Sequence, residues 1–457
     1  MAFRKKLLEG ALDENITQGK IINANALPPT LEERRKALDI VHDFISGKGL
    51  ILYGSTAIDM LLSTKGKRLP VKEGEIADLQ LPDYDVYSPN PFEHSVEICN
   101  LLFDAGFKYV KRISAVHAGT FRIGVEFEWV LDMTFVPKHL FDRIGVVKVG
   151  GLKVPEAQFM KIDLYKGLTG VCDNFENRWA KDYHRCLILE QEFPLGKPSG
   201  GEMAELHKKL LKILPKDAHR IIADILPKLG KDVVLNGIVA YNVFAEKTGM
   251  QEVPLYSLDL FSGQPREEAE RLGAELQKRY GKIKIYHFDD MLEHFPAESV
   301  VYVDDVPLIY VFSEDIYFYL VEYAEVGKRR VARYYDLLRF LYTRRHYAHH
   351  PELEDFMIAS LIAEREKRLK GPGDVFGEGM WEIFGLPRER DYCYMLGKLR
   401  YEKGKKMRRF PPNYIPEKGK LDPVEEGKKE ENLKILEWAI HAGEETVEDG
   451  KLAADAQ

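Results

Sequence analysis

The sequence predicts a mixed α/β (α+β) chain in which one domain is written twice, the first copy bearing a set of carboxylates that the second has lost. Three segments predict it. An apolar run enters a glycine turn at Gly49-Leu-Ile-Leu-Tyr-Gly-Ser-Thr-Ala-Ile58. An extended Leu81-Pro-Asp-Tyr-Asp-Val-Tyr-Ser-Pro89 follows, and Val130-Leu-Asp-Met-Thr-Phe135 closes the set. The same order returns at Asp232 to Tyr241, Tyr256 to Ser262 and Leu308 to Phe312. Internal repetition of this kind outranks any single-segment assignment.

The two copies correspond residue by residue. Gly237 and Ala240 keep the Gly-x-x-Ala spacing of Gly54 and Ala57. Ser257 stands where Asp83 does, Asp259 keeps the place of Asp85, and Tyr310 replaces Asp132. The helices that follow echo each other as well, Lys161-Ile-Asp-Leu-Tyr165 against Tyr334-Tyr-Asp-Leu-Leu338.

The first copy has the layout of a nucleotidyltransferase site. Asp83 and Asp85 are two residues apart on an extended segment, so their side chains share one face while Tyr84 points to the other. With Asp132 from a later strand they present three hard oxygen ligands, a set suited to two Mg²⁺ ions. Gly54 lets the backbone approach a phosphate, and Ser55 offers a hydroxyl and an amide at the start of a helix expected over Thr56 to Leu62. Lys161, Lys166, Arg178 and Lys181 follow on a helical stretch. Of these, Lys161 and Lys181 are taken with Gly54 and Ser55 as candidate contacts to the nucleoside triphosphate.

Composition sets the frame. At 457 residues the chain exceeds one ordinary core, and 45% hydrophobic with 30% charged residues is globular. Cys99, Cys172, Cys186 and Cys393 have neither Cys-x-x-Cys nor zinc spacing, which points to a reducing compartment. No signal peptide opens the chain and no apolar run is long enough to span a bilayer, so no membrane association is expected.

A net charge of −7 excludes a uniformly basic coat but allows local patches. A basic helix is expected from Lys328 to Arg345, with Arg329, Arg330 and Arg333 as RNA contacts. A second basic stretch, Lys398 to Arg409, carries Lys405, Lys406, Arg408 and Arg409, with Tyr401 and Phe410 interleaved. Positive grooves with aromatic platforms suit single-stranded nucleic acid. His346, His349 and His350 lack partners at metal-ligand spacing and are read as helix-end residues.

These anchors divide the chain into a helical opening (1–48, with Thr30 as N-cap and Gly47 as stop), an active α/β domain (49–195) and a helical connector (196–230). A degenerate copy (231–350) and a helical, basic arm with a charged tail (351–457) follow.

The run Tyr53-Gly-Ser-Thr-Ala-Ile-Asp59, the Pro82 to Pro89 box, Val130-Leu-Asp-Met-Thr134 and Asn177-Arg-Trp-Ala-Lys181 resemble the poly(A) polymerase catalytic subunit of large nucleocytoplasmic DNA viruses. The likeness covers roughly Thr30 to Tyr347. It implies a polymerase-β-like palm backed by a degenerate nucleotidyltransferase-like domain, with template-independent addition of AMP from ATP to the 3′-hydroxyl of mRNA. Mg²⁺ or Mn²⁺ is the implied cofactor, a homodimer or a separate processivity subunit the partner, and the host cytoplasm or virion the location. Two features depart from the superfamily pattern: Ser55 occupies a common glycine position, and 28 residues separate Gly54 from Asp83. Transfer to tRNA, protein or a small molecule, and a non-catalytic RNA-binding subunit, are the alternative readings.

Overall fold

The computed structural model describes residues 31–70, 83–115, 119–126, 128–169, 175–196, 200–214, 217–289, 296–314, 321, 323–348 and 351–369. The described chain forms two compact units, one of residues 31–142 and 146–155, the other of residues 143–145 and 156–369.

The first unit opens with α1 (Leu31–Lys48), followed by β1 (Ile51–Tyr53), α2 (Gly54–Ser63), β2 (Tyr84–Ser88) and α3 (Pro91–Asp104). β3 (Lys111–Ser114), β4 (Thr120–Val125), β5 (Glu128–Phe135), the short α4 (Lys138–Phe141), β6 (Val146–Val149) and β7 (Leu152–Pro155) complete it. Gly47 lies inside α1, and the chain turns instead at Gly49, whose φ is +64°. Thr30 lies outside the described residues. The strands make one sheet in the order β3-β4-β5-β2-β1-β7-β6. Because side chains alternate across a strand, each strand divides into two sets. Leu52, Val86, Leu131, Met133 and Ile123 are buried on the face packed by α1 and α3, together with Val41, Ile45, Ile98 and Leu102. The alternate residues, Asp85, Asp132 and Arg122 among them, share the other face.

The second unit begins with α5 (Ala157–Thr169), α6 (Phe175–Glu192), α7 (Gly200–Ile213) and α8 (Ala218–Ile225). β8 (Val234–Asn236), α9 (Gly237–Thr248), β9 (Leu258–Ser262), α10 (Pro265–Gln277), β10 (Ile283–Phe288), β11 (Glu298–Val303) and β12 (Val306–Ser313) follow. β13 (Tyr323–Val326), β14 (Arg329–Ala332), α11 (Tyr334–Tyr347) and α12 (Glu352–Leu369) end the described chain. The sheet runs β10-β11-β12-β9-β8-β14-β13, strand for strand the order of the first. α5 packs with both α6 and α11, so residues 157–192 associate with this unit and not with the domain the sequence reading closed at 195.

The duplication is visible in the registers. Tyr53 lies opposite Asp85 and Asn236 opposite Asp259, while Asp85 pairs with Asp132 and Asp259 with Tyr310. The β4–β5 and β11–β12 ladders each slip at the same place, between Ile123 and Gly124 and between Val301 and Tyr302. The helix echo needs correction by one turn. α5 and α11 both begin two residues after the preceding strand, which pairs Ala157, not Lys161, with Tyr334.

The basic segment at Lys328 also differs from expectation. Arg329 and Arg330 are on β14, and the helix starts only at Tyr334. Arg329 donates to the Leu226 carbonyl, and Arg330 pairs with Asp232 at 3.0 Å and lies over Tyr323. Arg333 is half-buried before the helix. Arg339 is buried and donates to Thr169, and Arg345 pairs with Asp355. Much of the positive charge on this segment is therefore spent on internal ion pairs. His346 falls in the last turn of α11 with its ring edge on Phe159, in keeping with a helix-end residue. His349, His350, Lys405, Lys406, Arg408 and Arg409 lie outside the described residues.

Candidate active site

The carboxylates meet on one face of the first sheet because two adjacent strands deliver them in register. β2 carries Asp85 beside Asp132 of β5, and Asp83 precedes β2 by one residue with the same side-chain parity. Tyr84 pairs with Leu131 on the opposite face, as the two-residue spacing requires. Gly54 begins α2 with φ +74°, and a Cβ there would stand 2.3 Å from the Asp85 carboxylate oxygen. Only glycine combines that backbone conformation with so close an approach. Thr56 donates to the Asp83 carbonyl at 3.3 Å, tying the first turn of α2 to the segment that carries the carboxylate pair. Ser55 is half-buried in the same turn.

Arg122 is the group that sequence reading missed. Its guanidinium is bidentate on Asp132, Nε to Oδ1 at 2.8 Å and Nη2 to Oδ2 at 2.5 Å. The signal was the alternation of Thr120-Phe-Arg-Ile-Gly-Val125, which on pairing with β5 sets Arg122 directly opposite Asp132. Asp83 is held above the usual carboxylate range, first by burial and then by the negative charge of Asp132, against the pull of Arg122. Among the described residues no three His, Cys, Asp or Glu side chains close into a ready-made cage. The donor set itself fits a hard divalent ion.

Below the carboxylates the same face is a polar row. Tyr53 Oη and Thr134 Oγ1 are 2.8 Å apart, Thr134 and Thr120 hydroxyls 2.9 Å apart, and Tyr53 stacks on Tyr87 at 4.3 Å. These contacts fix the strands that present the acids.

The candidate ATP lysines are placed differently. Lys161 is 0% exposed; its ammonium donates to Gln158 Oε1 and the Phe193 carbonyl and lies over Tyr342. Burial lowers its pKa to about 8. Lys161 is thus a core residue of the second unit, which corrects its reading as a phosphate contact. Lys181 is exposed on α6.

In the second copy every ligand position has been turned to another use. Gly237 keeps a positive φ of +55°, and a Cβ there would come within 2.2 Å of the Asp259 carboxylate, as at Gly54. Ser257 donates to Asp259 at 3.2 Å, and Arg344 of α11 pairs with Asp259 at 3.0 Å. The same guanidinium lies 4.0 Å over the Tyr310 ring and 4.0 Å from Glu354. An arginine therefore occupies the place a cation would take in the first copy. Sequence comparison of the copies could not show this, since Arg344 has no part in the repeated motif.

Burial raises Glu354 to about 7, partly countered by Arg344. A carboxyl whose folded pKa exceeds its unfolded value stabilises the fold when protonated. This contribution is full below the unfolded value near 4.5 and is lost as pH rises toward 7. Denaturant titrations are expected to show wild-type stability declining across that window, and Glu354→Gln is expected to flatten the decline. An identical slope in the two proteins would contradict the assignment.

Residues 39–174 match the family described as poly(A) polymerase catalytic subunit. A protein of African swine fever virus, provisionally named a poly(A) polymerase catalytic subunit, is 33% identical over 191 residues, covering 40% of this chain and 38% of its own length. A protein of the same provisional name from Acanthamoeba polyphaga mimivirus is 23% identical over 335 residues, 68% of this chain and 56% of its own. The chain thus spans about two fifths of the swine fever virus relatives it matches. Among solved structures, the crystal structure of the Megavirus polyadenylate synthase superposes with a TM-score of 0.65 at 21% identity, covering 94% of this chain and 89% of that one. It establishes a shared fold.

Proposed function

We propose that the chain is a template-independent polynucleotide adenylyltransferase, adding AMP from ATP to the 3′-hydroxyl of an mRNA, a reading supported by the match of residues 39–174 to the family described as poly(A) polymerase catalytic subunit. The observation that carries this reading is the register of Asp85 with Asp132 beside the Gly54 turn, retained in one copy and dismantled in the other.

In this reading Asp83, Asp85 and Asp132 hold the divalent ions. Bound Mg²⁺ or Mn²⁺ supplies the Lewis acid that lowers the pKa of the acceptor hydroxyl and neutralises the triphosphate. The amides and hydroxyl at Gly54 and Ser55 receive the phosphates at the α2 N-terminus. Arg122 holds Asp132 in the orientation needed for ligation and steadies its charge until the ion arrives. Catalysis then rests on positioning and charge stabilisation. Lys181 remains a candidate for the triphosphate. Lys405, Lys406, Arg408 and Arg409, with Arg329, Arg330 and Arg333, remain candidates for RNA phosphates, Arg329 and Arg330 by surrendering the contacts described above.

A second copy of the chain or a separate processivity subunit is the partner class we infer, and the cytoplasm or virion the setting, in keeping with the free thiols of Cys99 and Cys186. Among the described residues no helix is long and apolar enough to cross a membrane.

A single-stranded RNA ending in a 3′-hydroxyl should grow in one-nucleotide steps with release of pyrophosphate, and the same RNA ending in a 3′-deoxy residue should not. Labelling of tRNA, protein or a small molecule without growth of the RNA would replace this reading with one of the other transferases.

A further inference from the structure

We propose that Trp129, flanked by Lys111 and Ile113, forms the platform on which the acceptor strand lies as its 3′-end reaches the carboxylates. The proposal rests on the adenylyltransferase reading and says where in the first unit the RNA runs.

The geometry begins with the register slip in the β4–β5 ladder. Arg122 faces Asp132, Ile123 faces Leu131, and after the slip Gly124 faces Trp129. Simple alternation from Asp132 would send residue 129 to the helix-covered face. The extra residue in β5 re-aims Trp129 onto the face of Arg122 and Asp132, a common use of bulges beside functional sites. Trp129 lies directly over Gly124, where a Cβ would meet the indole at 2.9 Å. The ring is half-buried and is not absorbed into the core. Lys111 of the outer strand holds its ammonium 4.4 Å from the ring centroid, and the Arg122 guanidinium is 5.4 Å away. Ile113, opposite Arg122 in the ladder, is 45% exposed on the same face.

Position decides between the two ligands. The triphosphate belongs at Gly54 and Ser55, between β1 and α2, on one side of the carboxylates. β4 and β3 extend from the other side. Trp129 stands three residues before Asp132 on the same strand, about 10 Å at the usual strand rise. A strand whose terminal hydroxyl reaches Asp132 therefore passes the indole one or two nucleotides earlier. Stacking on an aromatic ring is tolerant of sequence, and the adjoining phosphates need positive charge. Lys111 is long and flexible enough to yield the ring to a base and take the neighbouring phosphate.

The second copy supplies an internal control. It keeps the same register slip, yet Pro307 stands in the place of Trp129, Tyr302 in that of Gly124 and Val300 in that of Arg122. The bulge thus belongs to the fold. The tryptophan and arginine are missing from the copy that has lost the carboxylates.

The test is oligoadenylate binding by the full chain in EDTA, together with KM for primer and for ATP in the presence of Mg²⁺. Trp129→Ala is expected to weaken oligoadenylate binding about tenfold and raise the primer KM similarly, leaving the ATP KM unchanged. Trp129→Phe should restore most of both. Ile113→Asp, at an exposed position that threatens no core, should weaken RNA binding without lowering the melting temperature. Lys111→Ala should reduce the slope of log affinity against log salt by about one. A wild-type chain that extends RNA while these variants bind it unchanged overturns the platform alone, as does an effect confined to the ATP KM, which would place the base of ATP there instead. A wild-type chain that neither binds nor extends RNA overturns the adenylyltransferase reading and the platform with it.

Discussion

Alanine at Asp85 is expected to reduce nucleotide addition by about a thousand-fold or more, roughly 4 kcal/mol of lost transition-state stabilisation. Asp83→Ala and Asp132→Ala should do the same, because each removes one of the few negative ligands able to hold the ions. The fold should survive. Asp83 sits at the entrance to β2, where burial of its carboxyl and the charge of Asp132 already hold its pKa up, so losing one member relieves repulsion. Melting temperatures within a few degrees of wild type, with addition abolished, are the expected combination for Asp83→Ala and Asp85→Ala, whereas Asp132→Ala also strips Arg122 of its bidentate partner and is expected to melt lower. Near-wild-type extension by any of the three would remove the site from this face of the sheet.

The largest stability effect is expected in the copy without catalysis. Arg344 is the only cation placed by the described contacts on Asp259, which is 2% exposed and whose pKa burial pushes upward. Removing one member of a buried ion pair leaves the other uncompensated, at a cost of about 3–5 kcal/mol. Arg344→Gln should therefore lower the denaturant midpoint sharply, and the double substitution with Asp259→Asn should recover part of the loss. Asp259→Asn alone should destabilise the chain while leaving the activity of the folded fraction nearly intact, since Ser257 and Tyr310 cannot complete a metal cage. An Arg344→Gln chain as stable as wild type would contradict this account. So would an Asp259→Asn chain with unchanged melting that adds no nucleotide.

Much of this was legible in the sequence because it depends on local spacing. The parity of Asp83 and Asp85, the Gly54 turn, and the substitutions at Ser257 and Tyr310 all follow from strand periodicity and order, and the registers bear out their correspondence. What failed to show was set by packing between segments distant in sequence. Lys161 looked like one more cation on an amphipathic helix, and only the approach of Phe193 and Tyr342 makes it a core residue. The basic run after Lys328 looked like a nucleic-acid face. Its arginines find Asp232, Asp259 and Asp355, partners whose proximity no local pattern encodes. Arg122 and Trp129 were hidden for a related reason: the first requires the β4–β5 pairing, the second a one-residue slip within it.

The most direct measurement incubates the full chain with a single-stranded RNA primer, Mg²⁺ or Mn²⁺ and each of the four nucleoside triphosphates separately, with the Asp85→Ala chain alongside. A ladder of extended products with ATP, absent or far weaker with GTP, CTP and UTP and absent from the Asp85→Ala chain, is the predicted result. No extension with ATP, or a ladder that persists in the Asp85→Ala chain, would contradict it.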